Sequence, residues 1–360
     1  MDVPKQRRRN AAGTGGAPTI ADVAREAGVS AMTVSRVINS ENNVRAATRE
    51  TVKQAIAKLN YQPNSAARAL AGAMKRRVGL LYSNPSANYL SEFLVGSLEQ
   101  ASRSDVQLVV EKCELGDHEL SVARRLINSG VGALLLPPPL CDSPALLDLV
   151  REHDIPCVLV GSGQQDVAIN MVSIDDFAAA KAMTEHILSL GHRRIGFIKG
   201  NPALTVSGHR LNGYRAAIEA AGADADDALI VDGLFTYRSG LDAAEQLLAL
   251  ENPPSAIFAS NDDMAAASVA VAHRHGLDVP GDLTVCGFDD TTLATAIWPE
   301  LTTIRQPIAD MSRAAVELLT KVLRGGDDER SKVHRLQLDF DLIRRQSDAA
   351  PRRRPAARRA

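Results

Sequence analysis

The sequence predicts an all-α helix-turn-helix head followed by an α/β body with two lobes, each built on a doubly wound parallel sheet. Residues 18–62 place apolar side chains at helical spacing, in short runs separated by turn residues. From Val78 onward, β-branched or leucine-rich runs alternate with amphipathic helices, which is typical of a parallel sheet covered on both faces. This series of βα pieces is too long for one comfortable sheet, so the body is predicted to form two lobes.

The composition of the 360-residue chain is that of a globular protein, with 45% hydrophobic and 23% charged residues. No apolar run approaches the roughly 20 residues that a membrane-spanning helix requires. Arg7, Arg8 and Arg9 are followed by alanine, glycine and threonine rather than by an apolar stretch, so no secretory signal is expected. The chain is therefore predicted to stay in the cytoplasm and to have no membrane partner.

The four cysteines are far apart, and none stands in a C-x-x-C pair or beside a histidine at metal-ligand spacing. They are Cys113, Cys141, Cys157 and Cys286. We therefore expect buried reduced thiols, no metal site and no cofactor.

The net charge of −2 conceals a strong asymmetry along the chain. Residues 1–77 carry fourteen Lys and Arg against five Asp and Glu, whereas residues 78–343 carry twenty against thirty-seven. Residues 344–360 are basic again, with seven against one. A basic module joined to an acidic body indicates that the head meets a polyanion, and nucleic acid is the obvious one.

Charge and turn signals divide the chain into successive segments. We predict a disordered basic arm over 1–17, the helix-turn-helix domain over 18–62, a hinge helix and linker over 63–77, the two-lobed body over 78–343, and a disordered basic tail over 344–360. Within the body, lobe 1 is expected at about 78–173 and 306–333, and lobe 2 at about 174–305 and 334–343.

The head begins with a capping box, in which Thr19 is followed three residues later by Asp22. Gly28 ends this first helix, and Ser30 can cap a second one. A third helix is expected from about Ala46 to Leu59. Three short helices around a small core, with a turn between the first two, predict a helix-turn-helix domain.

Short apolar runs mark the strands of the body, and a helical pattern follows most of them. The runs are Val78–Tyr82, Val106–Glu111, Ala133–Leu136, Cys157–Val160, Arg194–Ile198, Ala256–Ala259 and Thr284–Phe288. Ligands of such sheets bind outside the carboxyl ends of the strands, which places the expected site in the cleft between the lobes.

The second helix of the head has the side chains of a DNA-reading helix. Its exposed positions include Ala31, Met32 and Arg36, and an arginine can pair with a guanine edge in the major groove. Hydroxyls and flanking polar groups suit phosphate oxygens. These groups are Thr19, Ser30, Thr33, Ser35 and Asn39. The alternative is that Ser30 only caps the helix and that Arg36 is simply solvated.

The stretch from Thr19 to Asn39 resembles the lactose-repressor (LacI/GalR) family of transcription regulators. Further blocks extend the resemblance over nearly the whole chain outside the arm and the tail. They are Asn60–Asn64, Ala66–Leu70, Gly191–Ile195, Ser260–Met264, Gly287–Asp290 and Pro299–Pro307. The resemblance implies a body with the two-lobed, type I periplasmic-binding-protein fold and a head that binds double-stranded operator DNA.

In that family the hinge forms a helix on DNA and inserts a leucine into the minor groove, and Leu70 occupies this place here. An apolar wedge of this kind unstacks a base step and kinks the duplex. Asn64 and Arg68 would then lie close to phosphates. The alternative is that Leu70 packs against the first strand of the body.

The resemblance also implies an effector site in the cleft. Arg210, in the pattern Arg-x-x-Gly, matches the effector-binding arginine of the family, and Asp289 matches its aspartate. Asn261 and Asp263 follow a strand on the cleft side, while Asp262 between them is expected to cap a helix. The alternative for Arg210 and Asp289 is a structural ion pair.

Four apolar or aromatic residues complete the candidate effector set. They are Tyr82, Tyr89, Ile174 and Trp298. Trp298 is expected either to stack on a sugar ring or to fill the interface between the lobes. Pro137, Pro138 and Pro139 stand where relatives often offer a polar contact, which argues against transferring the sugar of any one relative.

No nucleotide-binding, serine-hydrolase or zinc-protease motif is present, so the chain is not expected to be an enzyme. We predict a repressor of carbohydrate-utilisation genes that binds a pseudopalindromic operator as a homodimer and responds to a small sugar. The tail lacks the leucine heptad of tetrameric relatives, which favours a dimer. The alternatives are a purine- or nucleoside-responsive regulator of the same family, and a cytoplasmic sugar-binding protein with an incidental basic head.

Overall fold

The computed structural model describes residues 18–38, 45–59, 61, 77–114, 116–164, 168–325 and 330–352. The chain divides into two units, a head that ends at Ala73 and a body that begins at Met74. Asn39 of the head and the hinge candidates Asn64, Arg68 and Leu70 lie outside the described residues.

The head contains the three predicted helices, α1 (Ile20–Ala27), α2 (Ala31–Ile38) and α3 (Ala46–Lys58). Thr19 and Asp22 form the expected capping box at the start of α1, and Gly28 ends that helix at a φ of 65°. A small apolar core joins the helices. Its buried members are Val23, Ala24, Val34, Val37, Val52 and Ala55.

Lobe 1 of the body is a six-stranded sheet with the order β11-β5-β4-β3-β1-β2. Its strands are β1 (Arg77–Tyr82), β2 (Gln107–Lys112), β3 (Ala133–Leu136), β4 (Cys157–Val160), β5 (Asn170–Ser173) and β11 (Arg335–Gln337). Its helices are α4 (Ala87–Arg103), α5 (Asp117–Asn128), α6 (Pro144–Glu152) and α12 (Ile308–Arg324). All strand pairs in this sheet are parallel.

Lobe 2 has a second six-stranded sheet with the order β12-β10-β9-β8-β6-β7, in which only the β10–β12 pair is antiparallel. Its strands are β6 (Ile195–Ile198), β7 (Ile230–Val231), β8 (Ala256–Ala259), β9 (Thr284–Asp289), β10 (Thr302–Arg305) and β12 (Asp341–Ile343). Its helices are α7 (Asp176–Ser189), α8 (Thr205–Ala220), α9 (Tyr237–Leu248), α10 (Asp262–Arg274) and α11 (Thr292–Ala296).

Both sheets are covered on two faces, as the near-continuous apolar strands require. One buried cluster joins the sheets to α4 and α12 in lobe 1 and to α7 and α8 in lobe 2, through side chains such as Phe93 and Tyr214. Separate clusters bury the opposite faces, around Leu146 in lobe 1 and Leu247 in lobe 2. The predicted fold class of two doubly wound lobes and a helical head is confirmed.

The structure corrects the expected lobe boundary near the C-terminus. Strand β11, which was expected in lobe 2, pairs with β5 of lobe 1, and the chain crosses to lobe 2 only before β12. The side chains of β11 are exposed, so no apolar pattern marked it as a strand.

The expected disordered tail is wrong for residues 344–352. Ser347 is fully buried, and its carbonyl accepts the Val285 N–H at 2.9 Å. The buried Asp348 carboxylate accepts hydrogen bonds from Thr302 and from His186. Polar hydrogen bonds rather than apolar burial hold this segment on lobe 2, which is why composition did not reveal it.

Within the described parts of the chain, no helix is long and apolar enough to cross a membrane.

Candidate functional site

A cavity of about 290 Å³ lies between the two lobes. Its lining comes mainly from loops that follow the strands, at the carboxyl edges where doubly wound sheets bind ligands. Lobe 1 contributes Ser83, Asn84, Pro85, Ser86, Tyr89, Pro138, Pro139 and Gly161. Residues from Asp176 onward complete it: Asp176, Asn201, Leu204, Val206, Arg210, Leu234, Phe235, Thr236, Asn261, Asp289 and Gln306.

Arg210 is fixed in the cavity wall by α8. Its Nε donates to Asp176 Oδ1 at 2.7 Å, and its Nη1 donates to the Ser260 carbonyl oxygen at 2.6 Å. The guanidinium carbon lies 3.6 Å from the centroid of the Phe288 ring. Arg210 therefore does form a buried ion pair, but with Asp176 rather than with Asp289, and it still lines the cavity.

Asp289 ends β9 and also lines the cavity. Its Oδ1 accepts a hydrogen bond from Gln306 Nε2 at 2.6 Å. Its φ of 111° is unusual for a residue other than glycine, and such strain is concentrated at functional sites. Burial raises the pKa of this carboxyl well above its ordinary range, and the nearby Arg210 charge opposes this only in part.

Two more buried carboxyl groups lie at or behind the cavity wall. Burial also raises the pKa of Asp176, against the lowering effect of Arg210. Behind the wall, burial raises the pKa of Asp262, which accepts hydrogen bonds from the Thr291 N–H and the Thr303 hydroxyl. Since the described lining combines the guanidinium of Arg210 with the carboxyl groups of Asp176 and Asp289, the site suits neutral hydroxyl groups better than an anion.

Asn261 and Asp263, which were both expected at the effector site, have different roles in the structure. Asn261, rather than Asp262, is the N-cap of α10, and its Oδ1 accepts the Met264 N–H at 3.0 Å. Asn261 lines the cavity. Asp263 is not among the lining residues, and its carboxylate accepts a hydrogen bond from Ser86 of lobe 1 at 2.6 Å.

Of the four apolar or aromatic candidates, only Tyr89 lines the cavity. Ile174 is buried in the core cluster, and Tyr82 packs against the same cluster. Trp298 is 75% exposed, so it neither reaches the cavity nor fills the interface between the lobes. Sequence position placed these side chains near the cleft but could not give the direction in which each one points.

Phe235 is a lining residue that the sequence did not single out. Its backbone is in the left-handed region at a φ of 58°, and its carbonyl accepts a hydrogen bond from Asn261 Nδ2 at 3.1 Å. Its ring lies over Gly200, where a Cβ atom would come within 1.9 Å of the ring. Because Gly200 has no side chain, the Phe235 ring can lie beside the cavity.

Other missed residues had a usable signal. Asn84 and Asn201 each precede a proline just after an apolar strand, and Gln306 follows β10 in the same way. The rule that parallel strands present their carboxyl ends to the ligand would have selected all three. Asp176 had no such signal, because Asp175 beside it has the same chemistry.

The head presents the predicted face of α2. Met32 is 64% exposed, and Ala31 and Arg36 are exposed beside it. Ser30 Oγ accepts the Thr33 N–H at 3.1 Å, so this hydroxyl does cap the helix. Capping leaves the exposed side chains of the first turn available to a partner.

Ser35 and Thr33 are half-buried, and Thr19 is exposed at the start of α1. Among the described residues, no group of three or more His, Cys, Asp or Glu side chains is placed to hold a metal ion. All four cysteines are buried free thiols.

Two family models match the chain. Residues 19–64 match the bacterial regulatory proteins of the lacI family, and residues 184–347 match a periplasmic binding protein-like domain. Catabolite control protein A of Priestia megaterium is 34% identical over 307 residues, which are 85% of this chain and 92% of that protein.

Two solved structures are similar over almost the full length. The transcriptional regulator CelR in complex with cellobiose is 32% identical, with a TM-score of 0.71 over 92% of this chain and 99% of that one. The lac repressor dimer bound to operator and the anti-inducer ONPF is 27% identical, with a TM-score of 0.74 over 93% of this chain and 100% of that one. With a helix-turn-helix head, a two-lobed body and relatives matched along both units, the chain belongs to the lacI family of bacterial regulatory proteins.

Proposed function

We propose that this regulator is a sequence-specific repressor of carbohydrate-utilisation genes whose operator affinity is controlled by a small sugar in the interlobe cavity. The observation that carries the proposal is the cavity wall, in which Arg210, Asp176, Asp289 and Gln306 hold donors and acceptors in fixed positions. Sugar hydroxyls both donate and accept, so they match such paired groups.

The size of the cavity also supports a small ligand. A volume of about 290 Å³ is just below the usual range for ligand pockets, roughly 300–1,000 Å³. Tyr89 and Phe235 add aromatic surface to the lining. Aromatic faces can stack on the apolar side of a pyranose ring while the polar wall binds its hydroxyls.

The same two aromatic residues favour a second candidate. A purine base needs flat stacking partners, and Tyr89 with Phe235 is the only aromatic pair in the described lining. Under this alternative the polar wall would bind the edge of the base. The two candidates share the regulator function and differ in the effector.

The proposed DNA contacts come from the face of α2 with Ala31, Met32 and Arg36, supported by hydroxyls that suit phosphate oxygens. The hinge residues Asn64, Arg68 and Leu70 remain part of this proposal. Two heads of a homodimer would read two half-sites, because a protein with a two-fold axis binds DNA with a matching symmetry.

The experiment selects sheared genomic DNA on the purified full-length protein, followed by sequencing. Bound fragments are retested with D-glucose, D-galactose, D-ribose and cellobiose, and separately with adenine, guanine and adenosine. We expect enrichment of a pseudopalindrome whose affinity falls steeply with salt and changes with one sugar. A response to a purine alone would replace the sugar assignment with the second candidate.

The absence of any enriched sequence at low salt would overturn the regulator proposal. A variant lacking residues 1–77 is the matched control. It should lose DNA binding and keep the effector, whereas a sugar-binding protein with an incidental head would show effector binding without any specific DNA.

A further inference from the structure

Helix α8, which carries Arg210, begins without a capping side chain from its own lobe. Its N-cap residue is Leu204, whose apolar side chain makes no cap hydrogen bond. The first N–H groups of a helix have no intrahelical partner and need an acceptor from elsewhere. The Ser207 N–H donates to the Leu204 carbonyl oxygen at 3.1 Å, whereas the acceptor of the Thr205 N–H lies in the other lobe.

Asp142 of lobe 1 supplies that acceptor. Its Oδ2 accepts the Thr205 N–H at 2.9 Å and the Thr205 hydroxyl at 2.8 Å. Its Oδ1 accepts a hydrogen bond from Ser162, also in lobe 1, at 2.6 Å. Asp142 is only 7% exposed, so a buried carboxylate of one lobe caps a helix of the other. Negative charge is favourable at a helix N-terminus.

The same helix end is in contact with a second lobe 1 segment. The Gly163 N–H donates to Thr205 Oγ1 at 2.7 Å. A Cβ atom at Gly163 would lie 2.7 Å from the His209 ring, so the two lobes approach closely here. Thr205 is thus bound to lobe 1 through both its backbone and its hydroxyl.

A further hydrogen bond between the lobes joins the start of α4 to the start of α10. Ser86 is the N-cap of α4 in lobe 1 and accepts the Tyr89 N–H at 3.3 Å. Its hydroxyl donates to Asp263, in the first turn of α10 in lobe 2, at 2.6 Å. Direct hydrogen bonds therefore join the two lobes at the starts of several helices, and this arrangement is called the closed cleft below.

We propose that Asp142 and Thr205 form a cross-lobe helix cap that favours the closed cleft before any effector binds. Opening the cleft would separate Asp142 from Thr205 and leave both the start of α8 and a buried carboxylate without this partner. An effector that binds only the closed cleft would then bind more tightly, because a larger fraction of the protein already has the binding-competent conformation. This inference rests on the proposed effector site and assigns its regulation to Asp142, which does not line the cavity.

The test measures the distance between the lobes in the full-length protein without ligand. Spin labels are placed at Glu152→Cys on α6 and Asp242→Cys on α9, both exposed positions, while the native cysteines are buried. Dilution with unlabelled protein leaves one labelled chain per dimer. Double electron–electron resonance then gives the distance distribution.

Three variants and one control are compared. We expect Asp142→Ala to shift the distribution to longer distances and Thr205→Val to do so in part. Asp142→Asn should stay close to the parent protein, because asparagine caps helices as well as aspartate does. The control is Ser143→Ala, which removes the N-cap of α6 and a contact to Glu119 entirely within lobe 1.

An unchanged distribution in Asp142→Ala would overturn the proposal. Equal opening in Ser143→Ala would also overturn it, since the effect would then reflect a general loss of stability. If Asp142→Ala does not fold, Thr205→Val carries the test, because it removes one hydroxyl from a half-buried residue.

Effector affinity is measured separately, with cellobiose and the other sugars of the panel in titration calorimetry. We expect Asp142→Ala to bind the active sugar about fivefold more weakly, the effect of one lost helix cap. If the lobe distances shift as expected but no panel sugar binds any variant, the cap stands and the sugar assignment fails. If sugars bind but the distances do not change, the cap fails and the effector site stands.

Discussion

Single residues at the cavity illustrate how neighbouring groups of the same chemistry can have different roles. Asp175 accepts the Ala178 N–H at 2.9 Å and caps α7, whereas Asp176 beside it pairs with Arg210. Nothing in the sequence separates these two carboxylates. Arg210 and Asp289 were identified because the resemblance to a family marked them, and their burial was visible only in the folded chain.

The Asp289 carboxylate should be required for effector affinity. We expect Asp289→Asn to weaken sugar binding by about tenfold, the effect of about 1.4 kcal/mol from one hydrogen bond in the cavity wall. Titration calorimetry with the sugar selected from the panel measures it. The matched control is Asp232→Asn, an exposed lobe 2 carboxylate paired with Lys199, which should bind sugar as the parent protein does.

The same substitution should change how stability depends on pH. Burial raises the pKa of Asp289 above the ordinary aspartate value of about 3.9, so the folded protein binds more protons than the unfolded one between the two pKa values. The free energy of unfolding should therefore fall as the pH rises through this interval.

Asp289→Asn lacks this contribution. As the pH rises from about 4 to 8, the urea midpoint of the variant should therefore increase relative to that of the parent protein. Urea unfolding at several pH values checks this. The same trend in Asp232→Asn would assign the effect to net charge instead.

At the scale of elements, local rules predicted where helices begin but not how closely they pack. The capping box at Thr19 and the stop at Gly28 are both present as expected. In contrast, no local pattern indicated that α4 and α12 approach so closely that a Cβ atom at Gly96 would lie 2.1 Å from the Ala309 carbonyl oxygen. That contact depends on residues more than 200 positions apart.

Gly96→Ala should destabilise the body by about 1–3 kcal/mol, because the added methyl group has no space between the two helices. The control is Gly208→Ala on α8, where no heavy atom lies within 4 Å of the new Cβ atom. That substitution should stabilise by roughly 0.5–1 kcal/mol through helix propensity alone. Urea unfolding followed by circular dichroism measures both, and equal effects would contradict the close packing at Gly96.

For the whole molecule, the described surface carries exposed apolar residues that do not line the cavity. Leu98 and Val95 on α4 are about half exposed, and Trp298 on lobe 2 is more so. Val95 and Leu98 lie three residues apart on α4 and therefore on one face of that helix, and the homodimer remains part of the proposed function. Exposed apolar side chains that share a helix face are typical of a protein–protein contact, so we propose this face of α4 as the dimer contact.

We expect Leu98→Glu to shift the full-length protein from dimer to monomer and to lower operator affinity, since a buried interface cannot easily accept a charge. Sedimentation velocity over a range of concentrations measures the shift. Tyr237→Glu is the matched control, because Tyr237 on α9 is 44% exposed against 54% for Leu98 and is not among the lining residues. A dimer that survives Leu98→Glu would place the interface elsewhere.

Local sequence patterns predicted the head and the series of strands and helices in the body, and the resemblance to a family added Arg210 and Asp289. The local patterns are capping residues and apolar periodicity, which act between residues close together in the chain. Only the tertiary structure decided that Asp176 is the partner of Arg210, that Phe235 lines the cavity and Trp298 does not, and that residues 344–352 pack on lobe 2. It also revealed the cap of α8 by Asp142, because a hydrogen bond between lobes joins residues whose proximity no local pattern encodes.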